Sequence, residues 1–204
     1  MLEIEIKASL GDLEKEQIKN LAEIMNFKYS KTLHETDIYF NGNDRNFAKT
    51  DEALRLRSCE ELSKKPHSEK PQKDTAAFIT YKGPKLDEDS STRTEYETSI
   101  GDLSTAKELL CALGYKTLFT VEKIRDEFKL EEFKLCDDKN RIGEITLCID
   151  EVSGLGNYIE LETLADSEDN KEIFTEKLIN ILDELKIPRE NMTRKSYLEL
   201  LFVK

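Results

Sequence analysis

The chain has 204 residues, 38% hydrophobic and 36% charged, with a formal net charge of −12. That length fits one domain, residues 1–204, with room for a buried core. The acidic balance argues against a general nucleic-acid binder or a protein held on an anionic membrane, since both need a basic surface, so an anionic ligand would have to be taken up internally.

Residues 1–7 alternate strictly. Successive side chains of a strand point to opposite faces, so Glu3, Glu5 and Lys7 share one face and Leu2, Ile4 and Ile6 the other. The two carboxylates then stand about 7 Å apart, a like-charge pair that needs a compensating cation, a metal ion among the options. Gly11-Asp12 opens an apolar stripe through Leu13, Ile18, Leu21, Ala22, Ile24 and Met25, which predicts a helix over 12–26 capped by Asp12. Residues 27–40 return to strand content, and the turn-rich stretch 41–45 leads to a strand at 51–57, a hairpin. The lysine-rich stretch 60–74 carries two prolines and no periodicity, and reads as a mobile excursion.

Strands follow at 76–81 and 91–100, joined by Gly83-Pro84 and an acidic loop. Asp102 can cap a helix through Leu110, which Gly114 ends. Residues 115–130 are strand-like and 131–141 a polar connection. A second hairpin joins 144–152 to 157–164 around Ser153-Gly-Leu-Gly156, a loop without the context of a Rossmann or phosphate-loop fingerprint. Residues 168–185 place Ile173, Phe174, Leu178, Ile181, Leu182 and Leu185 on one helical face, and beyond Pro188 the stretch 192–203 suggests a short last helix. Cys59, Cys111, Cys136 and Cys148 form no C-x-x-C, and His34 and His67 have no ligand-like spacing, which argues against a structural zinc site. With no signal peptide and no long apolar run, the expectation is a cytoplasmic chain with free thiols.

The charged strand faces share a pattern. Arg55 with Arg57, Arg93 with Glu95 and Glu97, Lys123 with Arg125, and Glu160 with Glu162 each align on one face. Adding Lys82, Asp150 and the first strand gives seven bases (Lys7, Arg55, Arg57, Lys82, Arg93, Lys123, Arg125) and seven acids (Glu3, Glu5, Glu95, Glu97, Asp150, Glu160, Glu162). Taken singly, each pair reads as the solvated face of an ordinary antiparallel sheet. A solvated face, however, mixes Thr, Ser, Gln and opposite charges to gain cross-strand pairs, whereas these recur like-signed from strand to strand. A closed barrel with a charged interior accounts for them better. The expected fold is α+β and mainly antiparallel β: about eight strands closed into a tunnel, with three or four flanking helices. Tyr197, beside Arg194 and Lys195, then either covers one tunnel mouth or packs on the outer wall.

Glu3-Ile-Glu-Ile-Lys7 resembles the E-x-E-x-K signature of the CYTH superfamily, the triphosphate tunnel metalloenzymes. The series continues in order through Thr36-Asp-Ile-Tyr-Phe40, Glu52-Ala-Leu-Arg-Leu-Arg57, Thr80-Tyr-Lys-Gly-Pro84, Arg93-Thr-Glu95, Val121-Glu-Lys-Ile-Arg125, Leu147-Cys-Ile-Asp150 and Gly154-Leu-Gly-Asn-Tyr-Ile-Glu-Leu-Glu162. The wording is most similar to the class IV adenylyl cyclase branch, with His34 where those relatives often carry Gln. The resemblance implies an eight-stranded antiparallel tunnel in which Lys7, Arg55, Arg57, Lys82, Arg93, Lys123 and Arg125 hold a triphosphate. Glu3, Glu5, Glu95, Asp150, Glu160 and Glu162 would hold Mg²⁺ or Mn²⁺, and Lys7, Arg57, Lys82, Lys123 and Asp150 are the candidate catalytic residues. Arg forks suit phosphate, and hard divalent cations take carboxylate and phosphate oxygens together. The implied partner is a small triphosphate, ATP or tripolyphosphate, with neither nucleic acid nor membrane, and a homodimer is left open. Cyclisation of ATP to 3′,5′-cyclic AMP and pyrophosphate is the first reading. Hydrolysis of tripolyphosphate, thiamine triphosphate or nucleoside triphosphates is the alternative, and a non-catalytic polyphosphate or nucleotide sensor the third.

Overall fold

In the computed structural model, which describes residues 2–62, 75–86, 91–134, 142–165 and 171–202, eight strands close into one antiparallel barrel. They are β1 (Leu2–Ser9), β2 (Lys28–Asn41), β3 (Ala53–Glu61), β4 (Thr75–Lys85), β5 (Arg93–Ile100), β6 (Lys116–Lys134), β7 (Ile142–Val152) and β8 (Gly156–Ala165). The order around the barrel is β1-β5-β4-β3-β2-β6-β7-β8. Among the described residues five helices accompany them: α1 (Lys15–Ile24), α2 (Phe47–Thr50), α3 (Leu103–Ala112), α4 (Lys171–Glu184) and α5 (Tyr197–Phe202), with a 3-10 turn at Arg189–Asn191. No helix among the described residues is long and apolar enough to cross a membrane.

The alternation of the strands decides which side the helices take. Ile4, Ile6 and Ala8 of β1, Ile145, Leu147 and Ile149 of β7, and Ile159 and Leu161 of β8 form one buried cluster with Ile18 and Ala22 of α1 and Phe174, Leu178, Ile181 and Leu182 of α4. On the other side, Phe40, Leu54 and Leu56 pack against Phe47 of α2 and Leu110 of α3. The apolar strand faces therefore point outward under a coat of helices, and the charged faces are left to line the interior. Burying the apolar stripes of α1 and α4 stabilises the assembly at roughly 1.5–3 kcal/mol per large side chain. Of the apolar residues expected on α4, Ile173 alone stays exposed, at 45%.

β1 pairs with β8 along its whole length, from Leu2–Ala165 to Ser9–Tyr158, but meets β5 only at Leu2–Thr94 and Glu3–Arg93. The rest of that seam is bridged by other backbone: the Ser91 N–H donates to the Glu5 carbonyl (3.1 Å), and the Thr193 N–H to the Lys7 carbonyl (2.9 Å). Ala8 and Met192 form an isolated antiparallel bridge there.

Several boundaries differ from the sequence expectation. Helix α1 starts at Lys15 with Glu14 at its cap position and no side-chain cap bond, because residues 10–13 are used in a turn closed by the Leu13 N–H and the Leu10 carbonyl (3.0 Å). Asp102 does cap α3, its carboxylate accepting from the Thr105 N–H (2.6 Å), and Gly114 follows at φ +95, a left-handed position that suits glycine. Gly83-Pro84 lies within β4 rather than in a turn. The register shifts between Lys82 and Lys85, and that irregularity accommodates a proline with no N–H to give the ladder. β3 runs on through Glu60 and Glu61, and β6 through Lys134, where Phe133 pairs with Gly143, so polar side chains did not end either ladder. Residues 63–74 and 135–141 of the two polar stretches, and residues 87–90 of the acidic loop after β4, lie outside the described residues. α2 was not expected at all; its four residues are too few for a periodicity, although Asn46 caps it through the Ala48 N–H (3.0 Å).

Candidate active site

Every expected site residue except Asp150 lines one cavity of about 450 Å³ inside the barrel. Its wall is built by the period of two: Glu3, Glu5 and Lys7 from β1, Arg55 and Arg57 from β3, Lys82 from β4, Arg93, Glu95 and Glu97 from β5, Lys123 and Arg125 from β6, Glu160 and Glu162 from β8. Two further acids belong to the set. Glu35 and Asp37 of β2 are each 3% exposed and face inward. Their alternation with Thr36 and Ile38 is the same signal that marked the other strands.

The charges neutralise one another in a continuous network. Asp37 receives Arg57 through two bonds (2.6 and 2.7 Å) and touches Arg55 (3.4 Å), while Glu35 contacts Arg57 (3.0 Å) and Lys123 (3.2 Å). Lys7 lies between Glu5 (2.8 Å) and Glu160 (3.0 Å), and Lys82 between Glu95 (2.7 Å) and Glu3 (3.3 Å). Arg125 reaches Glu160 directly and Glu162 at 3.6 Å. Arg93 donates to the Gly83 carbonyl (3.3 Å), across the break in the β4 register.

Asp150 stands behind this wall, fully buried. Arg125 grips both its oxygens (2.8 and 2.7 Å), Lys123 donates at 3.0 Å, and the Tyr197 hydroxyl at 2.8 Å. Its oxygens are thus committed to holding two cations in place. Tyr197 also lies under Lys7 and Lys123, whose ammonium nitrogens are 4.8 and 5.2 Å from its ring centre. It packs with Tyr39, Val121, Val152 and Tyr158, with Leu198 and Leu201 beside them. Between the two sequence alternatives for the tail, α5 covers the tunnel end from within.

Proton affinities divide the acids into two groups. Burial alone would raise Glu35 and Glu160, but Lys123 and Arg57 hold Glu35 below the carboxylate range, and Lys7 and Arg125 hold Glu160 well below it. Glu3 is instead pushed up to about 8, chiefly by burial, with Glu162 and Glu95 adding repulsion against the opposing effect of Lys82. Burial likewise raises Glu162 to about 7, helped by Glu160 and Glu5 and opposed by Arg125.

The donor set fits a hard divalent cation. Glu3 and Glu95 share a single ammonium group, Lys82 at 3.3 and 2.7 Å, and repel each other beside it. A divalent cation beside these two carboxylates would relieve that repulsion. Among the described residues no three carboxylate, imidazole or thiol groups converge on one point. An ion here would be held by one or two carboxylates with phosphate oxygens and water completing its shell, the usual arrangement for Mg²⁺.

With this architecture in place, comparison with known proteins gives a consistent answer: the chain belongs to the CYTH domain family, whose model matches residues 1–197. Members of that family act as adenylyl cyclases or triphosphatases, and this chain is an enzyme of one of those kinds. A Methanocaldococcus jannaschii protein named as a putative adenylate cyclase is 39% identical over 202 residues, 98% of each chain. The structure of the PH1819 protein from Pyrococcus horikoshii superimposes with a TM-score of 0.79 at 35% identity, covering 98% of both chains. A Hippeastrum protein described as a putative adenylyl cyclase with a dominant triphosphatase activity shares the fold, with a TM-score of 0.60 at 14% identity over 99% of this chain and 95% of its own.

Proposed function

We propose that this protein is a divalent-metal-dependent adenylyl cyclase that converts ATP to 3′,5′-cyclic AMP and pyrophosphate inside the tunnel. The observation that carries the triphosphate reading is the balance of the interior. Seven bases face nine acids, the seven expected plus Glu35 and Asp37; every acid and every base but Arg93 is already paired within this set, and Arg93 is held by the Gly83 carbonyl with Asp51 at 3.9 Å. A triphosphate of about four negative charges can displace carboxylates from the Arg and Lys groups only if the released carboxylates find another cation. Mg²⁺ or Mn²⁺ would supply it and would polarise the phosphates. The lysines and arginines then pass from the carboxylates of the resting network to the phosphates, and the carboxylates so released are the groups that would hold the ion. The name of the Methanocaldococcus relative supports the choice of cyclase.

In this reading Arg55, Arg57, Lys123 and Arg125 bind and orient the phosphates, and the Arg forks match their geometry. Lys7 and Lys82, each held between two carboxylates, meet the charge that develops as the bond between the α-phosphorus and its bridging oxygen breaks and pyrophosphate leaves. The ribose 3′-oxygen forms the new bond to that phosphorus. Its proton goes to Glu162, whose affinity of about 7 matches a base working near neutrality. Glu3, Glu5 and Glu95 are the candidate metal carboxylates, no more than two of them on one ion, Glu160 positions Lys7 and Arg125, and Asp150 positions Arg125 and Lys123.

Hydrolysis of tripolyphosphate or a nucleoside triphosphate is the second reading, since the same cradle serves a water nucleophile. The test is incubation of the purified protein with ATP or tripolyphosphate and Mg²⁺ or Mn²⁺, with products resolved by chromatography. Cyclic AMP with stoichiometric pyrophosphate is the expected result. Orthophosphate without cyclic AMP under either metal overturns the cyclase and leaves the tunnel reading standing. Tight, metal-independent binding without turnover makes the protein a sensor.

A further inference from the structure

We infer that the tunnel rim formed by α2, the start of β6 and α5 is a nucleobase subsite, which makes the substrate a nucleoside triphosphate rather than a bare polyphosphate. This rests on the triphosphate reading of the tunnel and adds to it the other end of the molecule. Most of the wall is charged or hydroxylated, as a polyphosphate requires. At the rim its character changes: Phe47, Leu118, Leu198 and Phe202 line the cavity beside Asn41 and Asn46.

Two of these apolar side chains are not spent on the core. Leu118 is 42% exposed and Phe202 58%, and the Phe202 ring lies 5.5 Å from that of Phe119, itself 40% exposed. Exposed aromatic and aliphatic groups at the mouth of a charged tunnel give nothing to an ion that is anionic along its whole length. A purine or pyrimidine can stack on them, because every base has a π-face, and ring stacking of this kind is worth about 5- to 100-fold in affinity. The amides supply the polar complement. The Asn41 side-chain oxygen accepts from the Gly42 and Phe47 N–H groups (3.1 and 2.9 Å), and that of Asn46 from the Ala48 N–H. With those oxygens committed to backbone, what each amide can offer the cavity is its NH₂, a donor for a ring nitrogen or carbonyl of a base. The platform is continuous with the cationic wall, so one ligand can fill both.

The experiment is titration calorimetry of ATP and of inorganic tripolyphosphate, each with Mg²⁺, on wild type, Phe202→Ala and Leu118→Ala. Both variants are expected to lose ATP affinity by about 5- to 100-fold while binding tripolyphosphate within about twofold of wild type. Should Phe202→Ala disturb α5, Leu118→Ala on the barrel wall carries the test alone. Equal losses for both ligands, no loss for ATP, or a wild type that takes tripolyphosphate but not ATP each overturn the base subsite and spare the tunnel. A wild type that takes up neither ligand overturns both.

Discussion

Glu5 and Glu162 stand directly opposite one another on the β1–β8 ladder, two inward-facing carboxylates of like charge at a position where a sheet ordinarily places complementary groups. The barrel tolerates them because Glu162, like Glu3, takes up a proton more readily than a free carboxyl does.

That proton makes the metal-free protein sensitive to pH in a definite direction. Glu162 is raised from 4.5 to about 7 and Glu3 to about 8, so between about pH 4.5 and 8 the folded state binds more protons than the unfolded chain. The stability these two groups contribute is fully present below about pH 4.5 and is lost as pH rises through 7 and 8. Glu162→Gln, which mimics the protonated form, is expected to match wild type near pH 5 and to be more stable above pH 8, by about 2–3 kcal/mol or roughly 5 °C in Tm. Thermal melts of both proteins in chelator, from pH 5 to 9, check this. A constant difference across the range would show that Glu162 is not held protonated.

Metal and triphosphate should bind cooperatively, because each relieves the imbalance the other creates. Mg²⁺ is expected to tighten tripolyphosphate binding by at least about tenfold, and tripolyphosphate to tighten Mg²⁺ by the same factor, as linkage requires. Chelation should abolish turnover without changing the circular dichroism spectrum. Glu5→Gln should cost about 10²–10³ in turnover and weaken the coupling with the fold intact. Retained activity in that variant removes Glu5 from the site.

Much of this site could be read from residue order alone, because a period of two fixes the face of every side chain once one face is known. Glu35 and Asp37 could have been found by the same rule and were overlooked, since Asp37 was seen only as part of a sequence motif. What alternation cannot supply is register. That Asp37 would meet Arg57, or that Asp150 would end behind the wall, depends on how β2 pairs with β3 and β6 with β7, information held in pairing between strands rather than within them. The placement of α5 was equally illegible, because a six-residue amphipathic turn fits an outer wall as well as an inner one.

Asp150 separates positioning from coordination. Replacing it by Asn leaves Arg125 and Lys123 buried with a lost counter-charge, which should destabilise the protein by about 3–5 kcal/mol in urea denaturation. Turnover should fall with it, while Mg²⁺ affinity in the presence of tripolyphosphate stays within about threefold, a small shift of well under 1 kcal/mol. Loss of metal binding in a folded Asp150→Asn protein would make Asp150 a ligand instead.

The tail gives the last prediction. Tyr197 reaches Asp150 with its hydroxyl and places its ring against Lys7 and Lys123, so α5 holds both a counter-ion and two cations of the tunnel. Tyr197→Phe removes one hydrogen bond from an acid that keeps Arg125 and Lys123, and should cost about 1 kcal/mol of stability with little effect on tripolyphosphate binding. Tyr197→Ala leaves a void among Tyr39, Val121, Val152 and Tyr158 and should cost about 3–5 kcal/mol. Deleting the residues after Met192 removes in addition the Thr193 bond that helps close the seam beside β1. Its affinity for tripolyphosphate should fall clearly below that of Tyr197→Phe, because Lys7 and Lys123 lose the ring that fixes them. A deletion that melts at a lower temperature yet binds tripolyphosphate like wild type would reduce α5 to a structural cover.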